Sequence, residues 1–250
     1  MRMYWSSDES IRLPAVWALA TVKGYMCDFE IYQGKTHDAC GELGKKANVV
    51  LRLVENIKGK NAKLYFDNFF NSYNLQLKLR DEMDIWCIAT CRKNRMMGAE
   101  QKLKSEKDLS KIGCGSASAV SSKENVNVIR WLDNKAVDLI FTYCGLLPFS
   151  ECERWCGKTK KSIKVQCPDI VKQYNKHMGG VDLIDMSISM YRHTIKPKKY
   201  YHRIANHFIY GVSLANAWVL PHTVHYFLFR SVSAGVGKQR SVSQYNALTL

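Results

Sequence analysis

Hydrophobic and polar positions follow two different periods along this chain. Residues 14 to 20, PAVWALA, form a short apolar run, while 24 to 32, GYMCDFEIY, alternate apolar and polar with aromatic and β-branched residues. Together they predict two strands joined in a hairpin through Lys23 and Gly24. In ANVVLRLVENIKGK the spacing becomes helical: Val50, Leu53, Val54 and Ile57 share a face, and Gly59 is placed to stop the helix. KLYF resumes as a strand. Beyond Asp67, Tyr73, Leu75, Leu77 and Leu79 are mixed in period, but the run is long enough for a helix, with Ser72 and Asn74 as candidate caps. IWCIAT, residues 85 to 90, completes a strand, helix, strand, helix, strand order typical of mixed α/β sheets.

The middle of the chain has another character. EQKLKSEKDLSKIGCGSASAV is charged, then rich in small residues, and predicts an exposed connection. NVNVIRWLDNKAVDLIFTYCG holds two strand-like runs around Asp133-Asn134 and predicts a hairpin. The basic run KTKKSIKV, residues 158 to 165, reads as a solvated segment rather than a phosphate clamp. DIVKQYNKHMGGVDLIDMSISMY and KKYYHRIANHFIYGVSLANAW predict helices, the first broken near Gly179-Gly180. The final stretch, SVSAGVGKQRSVSQYNALTL, has no periodicity and predicts a flexible tail.

Composition narrows the classes. The chain has 250 residues and is 46% hydrophobic, enough for a substantial core. It contains no uncharged apolar stretch of about 18 residues, so no spanning helix is expected. Its N-terminus, MRMYWSSDESIR, is charged where a signal peptide would be apolar, which predicts an intracellular protein. The nine cysteines are then expected to be reduced thiols. Cys87 with Cys91 and Cys152 with Cys156 share a C-x3-C spacing, which lacks the second tight pair or nearby histidines of a structural zinc site. A net charge of +15, from 37 basic and 22 acidic residues, favours polyanionic partners, nucleic acid foremost, without separating DNA from RNA.

Three aspartates carry the candidate chemistry. Asp67 directly follows the apolar run KLYF, so it is either a helix-starting residue or a carboxylate at the end of a core strand. Asp182 and Asp185, three apart in a helical pattern, lie on one face. Such a pair beside a third carboxylate suits a hard divalent cation such as Mg²⁺. Two such cations about 4 Å apart stabilise both the attacking and the leaving oxygen of a phosphodiester displacement. Singly, each aspartate reads as a cap or surface residue; together with the basic charge they make a nuclease-like or transposase-like candidate.

The segments YFDNFFNSYNLQLKLRD and CPDIVKQYNKHMGGVDLIDM, followed by a Tyr-rich helix ending NAW, resemble the core of the piggyBac transposase family and its domesticated derivatives. GYMCDFEIYQGK is similar to the family's strand pair near its first acidic residue, and IATCRKNR and VIRWLDNKAV fit in order and spacing. The resemblance covers roughly residues 15 to 222, and the combination of motifs is far more specific than a lone DN or GGVD. It implies an α/β, ribonuclease H-like mixed sheet with flanking helices and an inserted β-rich region at about 95–165. The implied layout is a lead-in at 1–13, a transposase core at 14–222 and a flexible tail at 223–250. It also implies aspartates holding two Mg²⁺ ions, with a fourth Asp behind the third. Position by position, Asp67 in YFDNFF matches the second carboxylate, Asp182 in GGVDLID the third, and Asp185 the fourth.

At the first acidic position this chain departs. Relatives carry LAD before the Gly-Tyr of the next strand, and the aligned run WALATVKGYM places Thr21 there. A neutral hydroxyl is a poor substitute for an anion bridging two cations, so most phosphoryl-transfer activity should be lost. Asp28, four residues beyond Gly24, does not replace it, because the strand carries it further along, near the other hairpin arm. The family's N-terminal DNA-binding region and its C-terminal cysteine- and histidine-rich domain are also expected to be missing. The expected protein is a transposase-derived core, truncated and catalytically degenerate, that keeps DNA affinity and acts in the nucleus. An active Mg²⁺-dependent transposase and a non-enzymatic interaction domain are the alternatives. DNA is the implied partner, a homodimer stays open, and neither a membrane nor a small-molecule substrate is expected. Lys196, Lys198 and Lys199 around Pro197 form a candidate phosphate-contacting turn. His177, His193, His202 and His207 are expected at the surface or core edge rather than as ligands, and Trp131, Trp155 and Trp218 to pack in the core rather than stack on bases.

Overall fold

The chain divides into two units, and strands and helices occur in both. The computed structural model describes residues 16–32, 43–145, 148–156, 160–190, 198–220 and 247–249. One unit comprises Met1–Asp38 with Met178–Leu250, the other Ala39–His177.

In the second unit the predicted alternation of strand and helix is present. Helix α1 (Lys45–Val54) buries Ala47, Val49, Val50, Leu53 and Val54 along one side. Strand β3 (Ala62–Phe66) then runs parallel to β4 (Ile85–Thr90), with α2 (Tyr73–Met83) between them. Strands β1 (Val16–Thr21) and β2 (Met26–Ile31) belong to the other unit. Leu64, Tyr65 and Phe66 are buried in succession, the mark of a strand covered on both faces. Ser72 caps α2 by accepting a hydrogen bond from the Leu75 amide at 3.3 Å. The sheet extends through β5 (Ala117–Ser121), β6 (Asn127–Leu132) and β7 (Ala136–Phe141) in the order β3-β4-β7-β6-β5. Opposite one another on β6 and β7, Arg130 and Asp138 form a buried bidentate pair at 2.7 and 3.0 Å, and that bonding holds the guanidinium above the usual arginine value.

One expectation needs correction in this region. The stretch beginning at Glu100 is not a bare connection. It contains α3 (Ala99–Lys102), α4 (Glu106–Ile112) and β5, and Leu109 of α4 is fully buried. The basic run at 158 to 165 agrees with the reading as a solvated segment, since Lys160, Lys161 and Lys164 are exposed; from Lys161 it forms β9 (Lys161–Pro168), which pairs antiparallel with β8 (Phe149–Cys156) as a separate two-stranded ribbon. Helix α5 (Asp169–His177) follows β9 and closes the unit.

The first unit holds the predicted hairpin. Strand β1 (Val16–Thr21) pairs antiparallel with β2 (Met26–Ile31), and a bulge between Leu19 and Ala20 shifts the register so that Leu19 faces Asp28 and Ala20 faces Met26. A short strand, β10 (Ala247–Thr249), pairs with β1, placing Leu248 opposite Thr21. Residues 247–249 of the segment expected as a flexible tail form this strand, and the rest of that segment lies outside the described residues. The break at Gly179-Gly180 is present: helix α6 (Gly180–Met190) begins there. The next helix starts as α7 (Tyr200–Asn206), passes through a π-helical stretch at His207–Val212 and continues to residue 220. Ala18, Met26, Ile184, Ile188, Val212 and Ala215 form this unit's core, with Phe208 packed against it.

Candidate active site

Asp67 stands at the first position after β3, half-buried, where the chain leaves the sheet. Its Oδ1 accepts two hydrogen bonds, from the Asn68 amide at 2.6 Å and from the Thr90 hydroxyl at 2.9 Å. Thr90 ends the neighbouring parallel strand, so the strand pairing itself aims this hydroxyl at the carboxylate. Asn71, fully buried, secures the loop: its Nδ2 donates to the Thr90 carbonyl at 2.9 Å, and its Oδ1 accepts from Gln76 Nε2 at 3.0 Å. Gln76 in turn donates to the Ile140 carbonyl at 3.0 Å. Tyr174 of α5 donates to the Phe66 carbonyl at 3.4 Å. Burial, reinforced by the Asp67 charge, pushes its phenol up to about 12.

A rim of positive charge surrounds the same loop. Arg92 Nε donates to Asn68 Oδ1 at 3.2 Å, and Arg95 Nη1 reaches the carbonyls of Asn68, Phe69 and Asn71 at 3.0 to 3.3 Å. Lys46 lies 3.6 Å from the Phe69 ring centroid. Burial, with the Arg95 and Arg92 charges adding to it, lowers its ammonium from the ordinary lysine value. These three cations were not singled out from sequence. The signal was present in CRKNR, but Lys46 lies far away in the chain and only the fold brings it here.

The other candidate residues belong to the first unit. Asp182 and Asp185 fall in the first turns of α6, Asp182 exposed and Asp185 half-buried. Thr21 ends β1, and its turn rests against that part of α6. Gly24 has φ +83°, and a Cβ built on it would lie 3.0 Å from Leu183 Cβ and 3.2 Å from the Ile184 amide nitrogen. Thr21 is thereby held beside the helix that carries Asp182 and Asp185. Its Oγ1 accepts a hydrogen bond from the Tyr25 amide at 3.1 Å, and its backbone closes the turn with Tyr25 and Gly24. Asp28, facing Leu19 on the hairpin, accepts from the Phe29 amide at 2.8 Å.

Among the described residues no group of three or more His, Cys, Asp or Glu stands in an arrangement that could hold a metal ion. Asp67 in one unit, and Asp182 and Asp185 in the other, each offer carboxylate oxygens, the donor type that a hard cation takes. Lys198 and Lys199 are exposed just before α7, with the Lys199 ammonium 5.7 Å from the Tyr201 ring centroid; Lys196 lies outside the described residues. His177 stacks on Tyr65 at 4.9 Å and its Nδ1 lies 2.7 Å from the Gln173 carbonyl, a packing role, while His193 is outside the described residues. Trp131 is buried as expected, but Trp155 and Trp218 are exposed, which corrects the expectation of core packing for both. None of the described helices is long and apolar enough to cross a membrane.

A mixed sheet with flanking helices and an acidic residue leaving the end of a buried strand defines the class: this is a ribonuclease H-like fold. It matches the cryo-EM structure of a piggyBac transposase synaptic complex with hairpin DNA with a TM-score of 0.67 at 18% identity, over 96% of this chain and 46% of that one. Residues 10–218 match the family model for transposase IS4, and the chain belongs to that transposase family. It is 36% identical over 212 residues to human PiggyBac transposable element-derived protein 3 and 29% identical over 212 residues to human PiggyBac transposable element-derived protein 2. These alignments take in 83% and 82% of this chain and 35% of each relative, so the chain spans about a third of their length. The resemblance to piggyBac transposases read from the motifs is borne out.

Proposed function

We propose that this chain is a piggyBac-derived transposase core that binds DNA in the nucleus but whose phosphoryl-transfer centre is disabled at its first acidic position. The observation that carries this reading is Thr21. It occupies the turn held against the Asp182 and Asp185 segment of α6, where the family pattern has an aspartate, and its neutral Oγ1 already accepts the Tyr25 amide. Asp67, Asp182 and Asp185 are the residues that would hold a divalent cation, Mg²⁺ in this reading, which supplies Lewis-acid charge to a phosphodiester. Thr90 and the Asn68 amide orient Asp67 by fixing one of its oxygens. Lys46, Arg92 and Arg95 offset phosphate charge beside it, and Lys198 and Lys199, with Lys196 just before them in sequence, add a second basic segment.

The test is Mg²⁺- or Mn²⁺-dependent nicking of duplex DNA by the purified chain, run beside Thr21→Asp. The unaltered protein is expected to be inert. Thr21→Asp is expected to restore cleavage that disappears again when Asp67→Ala and Asp182→Ala are added. Calorimetric Mn²⁺ titration gives a readout independent of cleavage, with tighter binding expected for Thr21→Asp. Metal-dependent nicking by the unaltered chain that needs Asp67 and Asp182 would overturn the disabled-centre reading in favour of an active transposase.

A further inference from the structure

Asn216, the asparagine of the motif NAW, reaches back 190 positions to the hairpin of its own unit. Its Oδ1 accepts the Met26 amide at 2.8 Å, and its Nδ2 donates to the Met26 carbonyl at 3.0 Å. A carboxamide reproduces the paired donor and acceptor of a peptide group, so this one side chain stands in for a residue of a neighbouring strand. It does so on β2, the outer strand of the order β2-β1-β10. Asn216 is only half-buried, and water can satisfy backbone groups at such an edge. Hydrogen-bond satisfaction alone therefore does not call for the clamp.

Its place in the hairpin is specific. Met26 sits opposite Ala20, the residue before Thr21, at the bulge where the register skips Cys27. A bulge disrupts the ladder locally, so strand pairing alone holds this end of β2 weakly. The turn follows at once: the Thr21 amide donates to the Tyr25 carbonyl at 2.8 Å, and the Gly24 amide to the Thr21 carbonyl at 2.9 Å. The Met26 side chain is 6% exposed, packed with Ile184 and Ile188 of α6 and with Val212 and Ala215 of the last helix. That helix approaches α6 closely at Gly211, where an added Cβ would lie 3.0 Å from Ile188 Cγ2. The last helix thus meets α6 through Gly211 and the hairpin through Asn216, while the hairpin turn meets α6 through Gly24. Three elements close on one another around position 21.

We propose that Asn216 is a positioning residue for the first acidic position: its carboxamide fixes Met26, and with it the turn at position 21, beside the α6 segment that carries Asp182 and Asp185. The inference rests on the disabled-centre reading and extends it, since it says what keeps the seat for a carboxylate at position 21 in shape when threonine occupies it. Asn216 acts through the hairpin and not as a ligand.

The experiment has two arms, both on the whole chain. In the first, amide hydrogen exchange is followed by NMR for the unaltered chain and Asn216→Ala. The Met26 amide should exchange about tenfold faster in the variant, with the Val50 amide in the other unit unchanged. In the second, Mn²⁺ is titrated calorimetrically into Thr21→Asp and its double variants. Adding Asn216→Ala should weaken Mn²⁺ binding about tenfold, and Asn216→Asp, which sets an oxygen against the Met26 carbonyl, should weaken it as much. Val212→Ala truncates the same core from the same helix and leaves the carboxamide in place. It should lower the melting temperature at least as far as Asn216→Ala without changing Mn²⁺ affinity. In the nicking assay, Asn216→Ala should lower kcat and leave KM for DNA unchanged. An unchanged Met26 exchange rate overturns this inference alone. So does a loss of Mn²⁺ affinity that merely follows the melting temperature in both Asn216→Ala and Val212→Ala. A Thr21→Asp protein that binds Mn²⁺ no more tightly than the unaltered chain overturns the disabled-centre reading, and this inference with it.

Discussion

Asn71 shows how much of a site can depend on a residue with no chemistry of its own. Its carboxamide sits fully buried between the loop that carries Asp67 and the strand end that carries Thr90, and both its oxygen and its nitrogen are engaged. Replacing it with Ala removes three hydrogen bonds, those to the Ala89 and Thr90 carbonyls and the one from the Gln76 amide. Asn71→Ala is therefore expected to destabilise the fold by about 1–3 kcal/mol, read from urea unfolding at constant slope. An unchanged midpoint would mean that the loop is not held this way. At this scale the sequence was half legible. Asp67 was readable because an apolar run delivers it and a specific motif surrounds it. Thr90 and Lys46 were not, because they meet the loop from 23 and 21 positions away in the chain, through a parallel strand pairing and a helix start that no local pattern encodes. Trp155 misled for the opposite reason: its strand alternates in burial, and sequence alone does not say which face of a two-stranded ribbon meets the body.

Elements with one strong period were legible, and elements at the margin were not. Helix α1 declares itself by apolar spacing and the α5–α6 break by its glycine pair, whereas α4 buries only Leu109 among charged residues, and β5, ASAVS, is a half-exposed end strand of small residues. Ala and Ser have little to gain on a pleated surface, so β5 exists through its pairing with β6 rather than through propensity. The β1–β2 turn is the element on which the first acidic position depends. Gly24 supplies both the positive φ and the space that lets the turn meet α6. Gly24→Ala strains the backbone and presses a methyl against Leu183 Cβ and the Ile184 amide, so a loss of about 1–3 kcal/mol is expected in thermal or urea unfolding. The same change made together with Thr21→Asp should abolish any nicking that Thr21→Asp alone restores, since the new carboxylate would no longer be held beside α6. Retained nicking in that double variant would show that the turn's seat is not what places position 21.

Across the whole molecule, ionisable groups are buried very unevenly, and this fixes a pH limit. In the second unit, burial pushes the thiols of Cys91 and Cys167 from 9.0 up to about 12 and raises Cys87 further still. The Tyr174 phenol is pushed from 10.0 to about 12. Burial also raises Tyr65 and Tyr143, whose hydroxyls share a hydrogen bond at 2.5 Å. All these groups are neutral when folded and ionise more readily once exposed to water. A raised folded pKa gives stability that is complete below the unfolded value and is lost as pH rises through the folded one. The melting temperature should therefore hold up to about pH 9, where unfolded thiols begin to ionise, and fall progressively toward pH 12. Lysine deprotonation works the other way, because it relieves the self-repulsion of a chain carrying a net +15. A fall in spite of that relief would place the cause in the buried acids. Thiolate and phenolate absorbance should then rise together with unfolding, not ahead of it, and Cys87→Ala should make the alkaline fall shallower even if it lowers the starting melting temperature. A melting temperature that stays level to pH 11, or phenolate absorbance that appears while the fold is intact, would show that these groups reach water in the native state.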